Sequence, residues 1–342
     1  VIEMGLKLSK LVVKHQIKLE SLRGRIIAID AYNALYQFLA LIRLRYGVPL
    51  TDKYGRVTSH LNGLLFRTVR LVEAGIRPVY VYDGSPPQLK SKTLEERVEK
   101  KKEAEVKWKE AVAKGDLRDA WAKAVQTSRL TKSMAEDSKK LLNYMGIPWV
   151  QAPSEGEAQA AYMTQAGDVW ASASQDYDSL LFGSLRLVRN LTITGKKFLR
   201  KTPGYYKLKP ELIKLDETLR ELDLTREQLV DMCILMGTDY NEGVKGIGPV
   251  KAYKLIKKYG TLERVLEGES ISLGADIDAI RNIFLNPPAT ADYELKWEDV
   301  DEDGLIEFLV EERGFQRERV KKAIERLRRA RIKGKQSTLE FY

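Results

Sequence analysis

The sequence predicts an α/β fold on a mostly parallel sheet, followed by a helical region, and three observations carry that expectation. Apolar runs that read as buried strands alternate with helix-length amphipathic segments. The clearest strand candidates end in acids. Beyond about Asp216 the strand signal fades and helices dominate, which places a domain boundary there.

Ile26-Ile27-Ala28-Ile29-Asp30 is apolar up to its closing acid, as a strand buried on both faces should be. From Ser59 to Glu73, Leu61, Leu64, Leu65, Thr68 and Val72 share a helical face, with Ser59 as the expected cap and Gly75 as the expected stop. Pro78 to Tyr82 is a second strand, running into Asp83-Gly84. A helix is expected from Ser138 to Met145, then a short strand at Trp149-Val150, a helix over Ala158 to Ala166 and a strand from Val169 to Ser174. Asp176 and Asp178 follow that last strand, and a helical stretch from Glu227 to Met236 precedes Asp239.

A chain of 342 residues is long enough for roughly two domains at about 150 residues each. The single cysteine, Cys233, excludes an intramolecular disulfide framework and a multi-cysteine zinc site. Only His15 and His60 are available, so a catalytic metal here would have carboxylate ligands. The balance of 58 Lys+Arg against 48 Asp+Glu, a net +10, suits a polyanionic partner. No apolar run approaches the roughly 20 residues of a membrane span, and the first residues lack a signal-peptide core, so a soluble protein with no membrane partner is expected.

The positive charge is patchy. Between Lys90 and Lys109 eight basic residues mingle with five acidic ones, and few positions there offer a core face. The plain reading is a solvated helix laced with charge pairs; the sharper one is a mobile helical element that touches phosphates. Gly243 to Gly260 holds five lysines and no acid, and Arg313 to Lys335 holds eleven basic residues against Glu318 and Glu325.

Ligands of open α/β sheets sit outside the carboxyl ends of the strands. Asp30, Asp83, Asp176 and Asp178 fall at such ends, Glu155 and Glu157 follow the short strand at Trp149, and Asp239 can point back toward them. Seven converging carboxylates repel one another unless cations lie between them. Hard oxygen donors suit Mg²⁺ or Mn²⁺, and a pair of such ions can clamp the attacking and leaving oxygens of a phosphodiester. Each acid also has a structural explanation. Ser154-x-x-Glu157 is a capping box, Asp83-Gly84 and Asp176-x-Asp178 fit turns, and Asp239 fits a cap. Their joint placement favours the metal site.

Val244-Lys245-Gly246-Ile247-Gly248-Pro249 opens a helix that bears Lys251. Gly246 and Gly248 permit a tight turn whose N–H groups a phosphate can approach, with Lys245 and Lys251 in support. Such contacts hold duplex DNA without reading its sequence. A simple turn between helices is the alternative.

The segments Ile29-Asp30-Ala31, Tyr82-Asp83-Gly84-Ser85-Pro86-Pro87, Ala152-Pro153-Ser154-Glu155-Gly156-Glu157, Asp176-Tyr177-Asp178 and Gly237-Thr238-Asp239-Tyr240 resemble the structure-specific 5′ nucleases, in the order and spacing of the archaeal flap endonucleases. The resemblance spans nearly the whole chain. It implies a PIN-like nuclease core over 1–216 with a helical arch insertion at about 88–132. A helical duplex-binding domain would cover 217–334, with a helix–two-turn–helix motif at about 228–259, and a clamp-binding tail 335–342.

By the same resemblance, Asp30, Asp83, Glu155 and Glu157 hold one Mg²⁺ and Asp176, Asp178 and Asp239 chiefly a second, with Mn²⁺ a possible substitute. Lys90 and Arg97 contact the scissile phosphate, and Tyr36 stacks on the terminal base; its plain reading is core packing. Main-chain carbonyls of Gly243, Val244 and Ile247 hold K⁺, while Arg313, Phe315 and Arg326 bind a one-nucleotide 3′ flap. Gln336, Leu339, Phe341 and Tyr342 resemble a sliding-clamp box that is one residue short. The implied activity is cutting of 5′ flaps near their base, with 5′→3′ exonuclease action, in replication and repair. A cytoplasmic monomer is expected. Two rivals stay open: an exonuclease or bubble-cutting relative, and a non-catalytic junction-binding adaptor of the clamp.

Overall fold

The computed structural model describes residues 8–115, 117–193, 196–198 and 205–339. Its strands are β1 (His15–Gln16), β2 (Ile26–Asp30), β3 (Arg77–Tyr82), β4 (Trp149–Gln151), β5 (Ala171–Ala173), β6 (Arg186–Arg189), β7 (Lys196–Phe198), β8 (Tyr205–Lys207) and β9 (Glu211–Lys214). The helices of the first part are α1 (Ala31–Leu41), α2 (Ser59–Glu73), α3 (Ser91–Ala113), α4 (Leu117–Gln126), α5 (Lys132–Tyr144), α6 (Gly156–Ala166) and α7 (Asp178–Leu181). Then follow α8 (Leu215–Leu222), α9 (Arg226–Met236), α10 (Pro249–Tyr259), α11 (Leu262–Gly268), α12 (Ile277–Leu285), α13 (Glu302–Leu305) and α14 (Arg317–Leu339).

Seven strands form one sheet in the order β1-β9-β6-β5-β2-β3-β4. β6, β5, β2, β3 and β4 run parallel, and β9 and β1 close one edge antiparallel. β7 pairs with β8 as a separate hairpin. β2 lies between β5 and β3, so connections leave it toward both sides of the sheet. The crevice that opens at such a switch point lies at the carboxyl ends of these strands.

Strand period two explains the two buried faces. Ile27, Ile29, Tyr80 and Tyr82 point into a cluster with α1, α2, α5 and α14. Ala28, Val79 and Val81 point the other way, onto Ala160 and Met163 of α6. The two tyrosines keep their hydroxyls satisfied inside: Tyr80 shares a hydrogen bond of 2.8 Å with Thr68, and Tyr82 one of 2.6 Å with Ser138. Each pins a helix to β3.

The helix expected over Ser59–Glu73 has those bounds, but Ser59 does not cap it. Thr58 occupies the cap position, while the buried Ser59 hydroxyl accepts from Leu50 N–H at 2.9 Å and donates to the Ile42 carbonyl at 2.7 Å. Ser59 thus closes the 42–58 loop. The helix expected from Ser138 begins six residues earlier, at Lys132, capped by Thr131. In the insertion, Ala104 is buried within the Lys90–Lys109 run, where few positions offer a core face, and Ala111 and Ala124 are buried beyond it. Alanines let α3 and α4 pack closely, and i,i+4 pairs such as Glu103–Lys107 line the outside.

Helices α7 to α12 and the inner faces of β6 and β9 share a second core, including Leu187, Ile213, Leu229, Ile234, Ile256 and Phe284. The chain then runs back in extended form. Trp297 stacks under Arg77, and Tyr293 OH donates to Asp168 at 2.6 Å. Val300, Leu305, Phe308, Val320, Ile324 and Leu327 return to the first core. The helical unit expected over 217–334 is therefore divided between two cores, because this return places apolar residues of α13 and α14 against α2 and α5. No helix of the described residues is long and apolar enough to cross a membrane.

Candidate metal centre and nucleic-acid surface

The acids come from separate elements that end at one edge of the sheet. Asp30 closes β2 and caps α1, accepting from Asn33 N–H at 2.9 Å. Asp83 follows β3, and its Oδ1 accepts from Gly156 N–H at 2.7 Å. Glycine is needed there: a Cβ on residue 156 would sit 2.7 Å from that same Oδ1 and 3.2 Å from the Val81 carbonyl. Glu155 stands at the start of α6 without capping it, so the Ser154–Glu157 capping box does not form. Glu157 instead accepts from Ser179 Oγ at 3.0 Å. Asp176 Oδ1 accepts from Tyr177 N–H at 2.7 Å, its own N–H donating to Ser174 Oγ at 3.1 Å, and Asp178 opens α7.

Burial and mutual repulsion act together on this group. Burial holds the Asp30 carboxyl well above its ordinary range, with the charges of Asp83, Asp176 and Glu155 adding to the effect. Burial, then Asp176 and Asp30, does the same to Glu157. Asp178 is raised by burial and by Asp176, Glu157 and Asp239. Asp83 is pushed up to about 6 by burial and by Glu155. These couplings link all seven predicted acids into one electrostatic unit.

One cation already sits among them. Lys90, at the junction of the core and α3, places Nζ 2.7 Å from Glu155 Oε2 and 3.5 Å from Asp239 Oδ2. Among the described residues no group of three or more His, Cys, Asp or Glu side chains is set to hold a metal ion as it stands. The donor set nevertheless fits divalent cations. Its oxygens are hard, and Glu155 Oε1 and Asp178 Oδ1 are buried with no donor among the described residues. A buried acceptor left unsatisfied is costly, and a cation removes that cost.

The other predicted residues are less gathered. Arg97 lies on α3, its side chain outside the described residues. Tyr36 is half-buried on α1 and belongs to none of the apolar clusters. Gly243 and Gly246 have φ of +70° and +83°, and a Cβ on Gly243 would lie 2.2 Å from the Gly237 nitrogen. The turn they make joins α9 to α10 and leaves Lys245 and Lys251 exposed, with Gly248 capping α10 and Pro249 at its first position. The Val244 carbonyl accepts from Ile247 N–H at 3.0 Å.

Arg313 and Arg326 are engaged within the protein. Arg313 Nη2 contacts both Asp137 oxygens, at 2.8 and 2.7 Å, and Arg326 pairs with Glu73 at 2.8 and 2.5 Å. Phe315 packs half-buried against the first core. Gln336 and Leu339 fall on the last turns of α14, with side chains outside the described residues, as Phe341 and Tyr342 are entirely.

Sequence reasoning missed the polar groups around the acids. Ser174 and Ser179, two residues before Asp176 and one after Asp178, carried a faint signal as hydroxyls in an acid-rich turn. Asn33, one helical turn after Asp30, carried none.

The XPG N-terminal domain model matches residues 4–104 and the XPG I-region model residues 146–239. Flap endonuclease 1 of Pyrococcus abyssi is 57% identical over 99% of this chain and 98% of its own length. That of Pyrococcus furiosus is 54% identical over 99% of each. The solved flap endonuclease-1 from Methanococcus jannaschii superposes with a TM-score of 0.76 at 46% identity, covering 95% of this chain and 98% of that one. The catalytic core of Rad2 in complex with DNA substrate gives 0.69 at 26% identity, covering 92% and 96%. With such identity over almost its full length, the chain belongs to the flap endonuclease 1 family.

Proposed function

We propose that the chain is a divalent-cation-dependent, structure-specific 5′ flap endonuclease of replication and repair, acting on branched DNA near the flap base. The observation that carries the reading is the buried edge where acids from β2, β3, α6, α7 and the loop after α9 meet, with two carboxylate oxygens unpartnered among the described residues. Asp30, Asp83, Glu155 and Glu157 would hold one Mg²⁺ and Asp176, Asp178 and Asp239 chiefly another, with Mn²⁺ able to replace them. Such ions supply Lewis acidity and offset the charge that develops during attack of water on a phosphodiester.

The protein's own groups do the rest. Lys90 can exchange its carboxylate partners for a phosphate oxygen entering the same edge, and Arg97 lies on the helix that leads away from it. Tyr36 offers a ring to the terminal base. Helices α3 and α4 frame the 5′ strand, and Trp108 Nε1–H ties α3 to the Tyr46 carbonyl at 2.9 Å. The Gly243–Gly248 turn and its lysines take the duplex backbone, with K⁺ on the Gly243, Val244 and Ile247 carbonyls. The tail engages a sliding clamp. A cytoplasmic monomer fits this work.

The test uses a labelled double-flap DNA with a one-nucleotide 3′ flap, incubated in Mg²⁺, Ca²⁺ or EDTA. Cleavage one nucleotide into the downstream duplex, in Mg²⁺ alone, is expected. Tight binding with no product in Mg²⁺ would instead favour a junction-binding adaptor.

A further inference from the structure

We infer that Asn33 is a positioning residue that ties the carboxylate at the end of β2 to the loop carrying Asp176 and Asp178. The inference rests on reading these acids as cation ligands. From the first turn of α1, Asn33 N–H donates to Asp30 Oδ1 at 2.9 Å. Its side-chain Oδ1 faces the other way and accepts from the N–H of Gln175 at 3.3 Å, one residue before Asp176. One residue therefore grips two neighbouring strand ends, each of which delivers acids to the edge. Asn33 is itself held. Gln37 Nε2, one turn along α1, donates to the same Oδ1, and Gln37 Oε1 accepts from Thr192 Oγ1 at 3.3 Å.

A cavity of about 10 Å³, the room of a single water, lies beneath this junction, lined in part by Asp30, Asn33, Ser174, Gln175 and Thr192. Gln175 Oε1 is buried with no donor among the described residues. Atoms that face a void have no van der Waals partners on that side, so the hydrogen bonds of Asn33 add to the β2–β5 ladder and to Arg189 Nε, which donates to the Gln175 carbonyl at 3.1 Å, in setting Asp30 against the 174–178 loop. Residues that orient ligands in this way are worth roughly 10–100-fold in metal affinity or activity.

The experiment titrates Mn²⁺ into the full chain by calorimetry and, separately, measures single-turnover flap cleavage against Mg²⁺ concentration. Asn33→Ala is expected to weaken Mn²⁺ binding on the order of 10-fold or more and to raise half-saturating Mg²⁺ by a similar factor, with the rate recovering at high Mg²⁺. Asn33→Asp keeps the acceptor oxygen and restores most of the affinity. Gln37→Leu, one step removed, shifts both readouts in the same direction by less. Unchanged Mn²⁺ affinity in folded Asn33→Ala, or equal losses in the Ala and Asp variants, overturns the inference. Should Asn33→Ala fail to melt cooperatively, an unchanged Gln37→Leu overturns it instead. Asp176→Ala separates the two layers: retained Mn²⁺ affinity there would remove the ligand reading itself, whereas its loss beside a silent Asn33→Ala removes only the role of Asn33.

Discussion

The Lys90 ammonium lies 2.7 Å from Glu155 Oε2, so the segment leading into α3 begins with a positive charge held on the acidic edge of the sheet. Both side chains are mostly buried, 15% and 13% exposed. Burial alone would pull the ammonium's pKa down, but Glu155, Asp239 and Asp83 outweigh it and hold it up. A divalent cation at the proposed site would compete with Lys90 for the same oxygens. Lys90→Met is therefore expected to bind Mn²⁺ more tightly than the parent by calorimetry. Its single-turnover cleavage at saturating Mg²⁺ should still fall on the order of 100-fold, because the proposed donor to the developing phosphate charge is gone.

Asp178 carries the opposite trade. It is buried, one of its oxygens has no donor among the described residues, and burial and neighbouring charges raise its pKa. Asp178→Asn keeps the shape and removes one repelling charge. In EDTA its melting temperature should rise, by roughly 1–2 °C per kcal/mol in a chain of this size. Its cleavage should fall by several orders of magnitude. A lower melting temperature in EDTA would mean that the cluster is not strained by its own charge.

The two variants bear on what the sequence could reveal. Strand ends were legible because β2 and β3 are apolar on both faces and stop at an acid, which gave Asp30 and Asp83 directly. The same rule led to Asp176 and Asp178, although β5 has only Ala171–Ala173 in ladder form. Strands β6 and β9 were not legible, since four-residue runs with arginine, lysine or glutamate at their ends show no clear period. Nor was the return of Val300 to Leu327 to the first core, for a long-range contact leaves no local pattern. Lys90 was legible as the first base of the Lys90–Lys109 run and, through the resemblance, as a phosphate contact, but its inward pairing depends on where α3 starts in space. The capping box at Ser154 was a false local signal: Asp83, 73 residues from Gly156 in sequence, takes the N–H at the helix start.

His60 gives the fold a pH dependence of known sign. It is 1% exposed in α2, and neither ring nitrogen has a partner among the described residues. Burial, aided by the Arg313 charge, lowers its pKa to about 4. The unfolded chain takes up the proton near 6.5 and the folded one does not, so this contribution is complete above about pH 6.5 and is lost as pH falls toward 4. The loss approaches roughly 3 kcal/mol near pH 4. His60→Leu should flatten that dependence. Denaturant midpoints of parent and variant at pH 7 and pH 5 measure it, and parallel changes would exclude His60 as the source.

The two arginines matched to the 3′-flap site should behave differently. Arg313 is 10% exposed and holds both oxygens of Asp137, so Arg313→Ala leaves a partly buried carboxylate alone and should destabilise the fold by about 3–5 kcal/mol. Arg326 and Glu73 are 45% and 35% exposed, and Arg326→Ala should change stability by less than about 1 kcal/mol. Arg326→Ala is thus the clean probe. If Arg326 serves the 3′ flap, this variant loses the advantage of double-flap over single-flap DNA while its melting temperature holds. An unchanged preference would remove Arg326 from that site.

Lys245 and Lys251 flank the turn that opens α10, both exposed, where a duplex phosphate can meet helix N–H groups and two ammonium charges together. Each duplex phosphate that a protein neutralises adds about 0.9 to the slope of log Kd against log salt. Replacing both lysines with alanine should therefore reduce the slope by about two and weaken binding most at low salt. The cut should stay at the same nucleotide, because on the proposed reading the acids at the sheet edge fix where hydrolysis occurs. Fluorescence anisotropy with flap DNA over a salt series gives the slope, and product sizing on the same substrate gives the position. A shifted cut with an unchanged slope would mean that these lysines set register and do not anchor the duplex. An unchanged slope and cut would place the duplex on another basic surface, with the eleven basic residues between Arg313 and Lys335 the next to test.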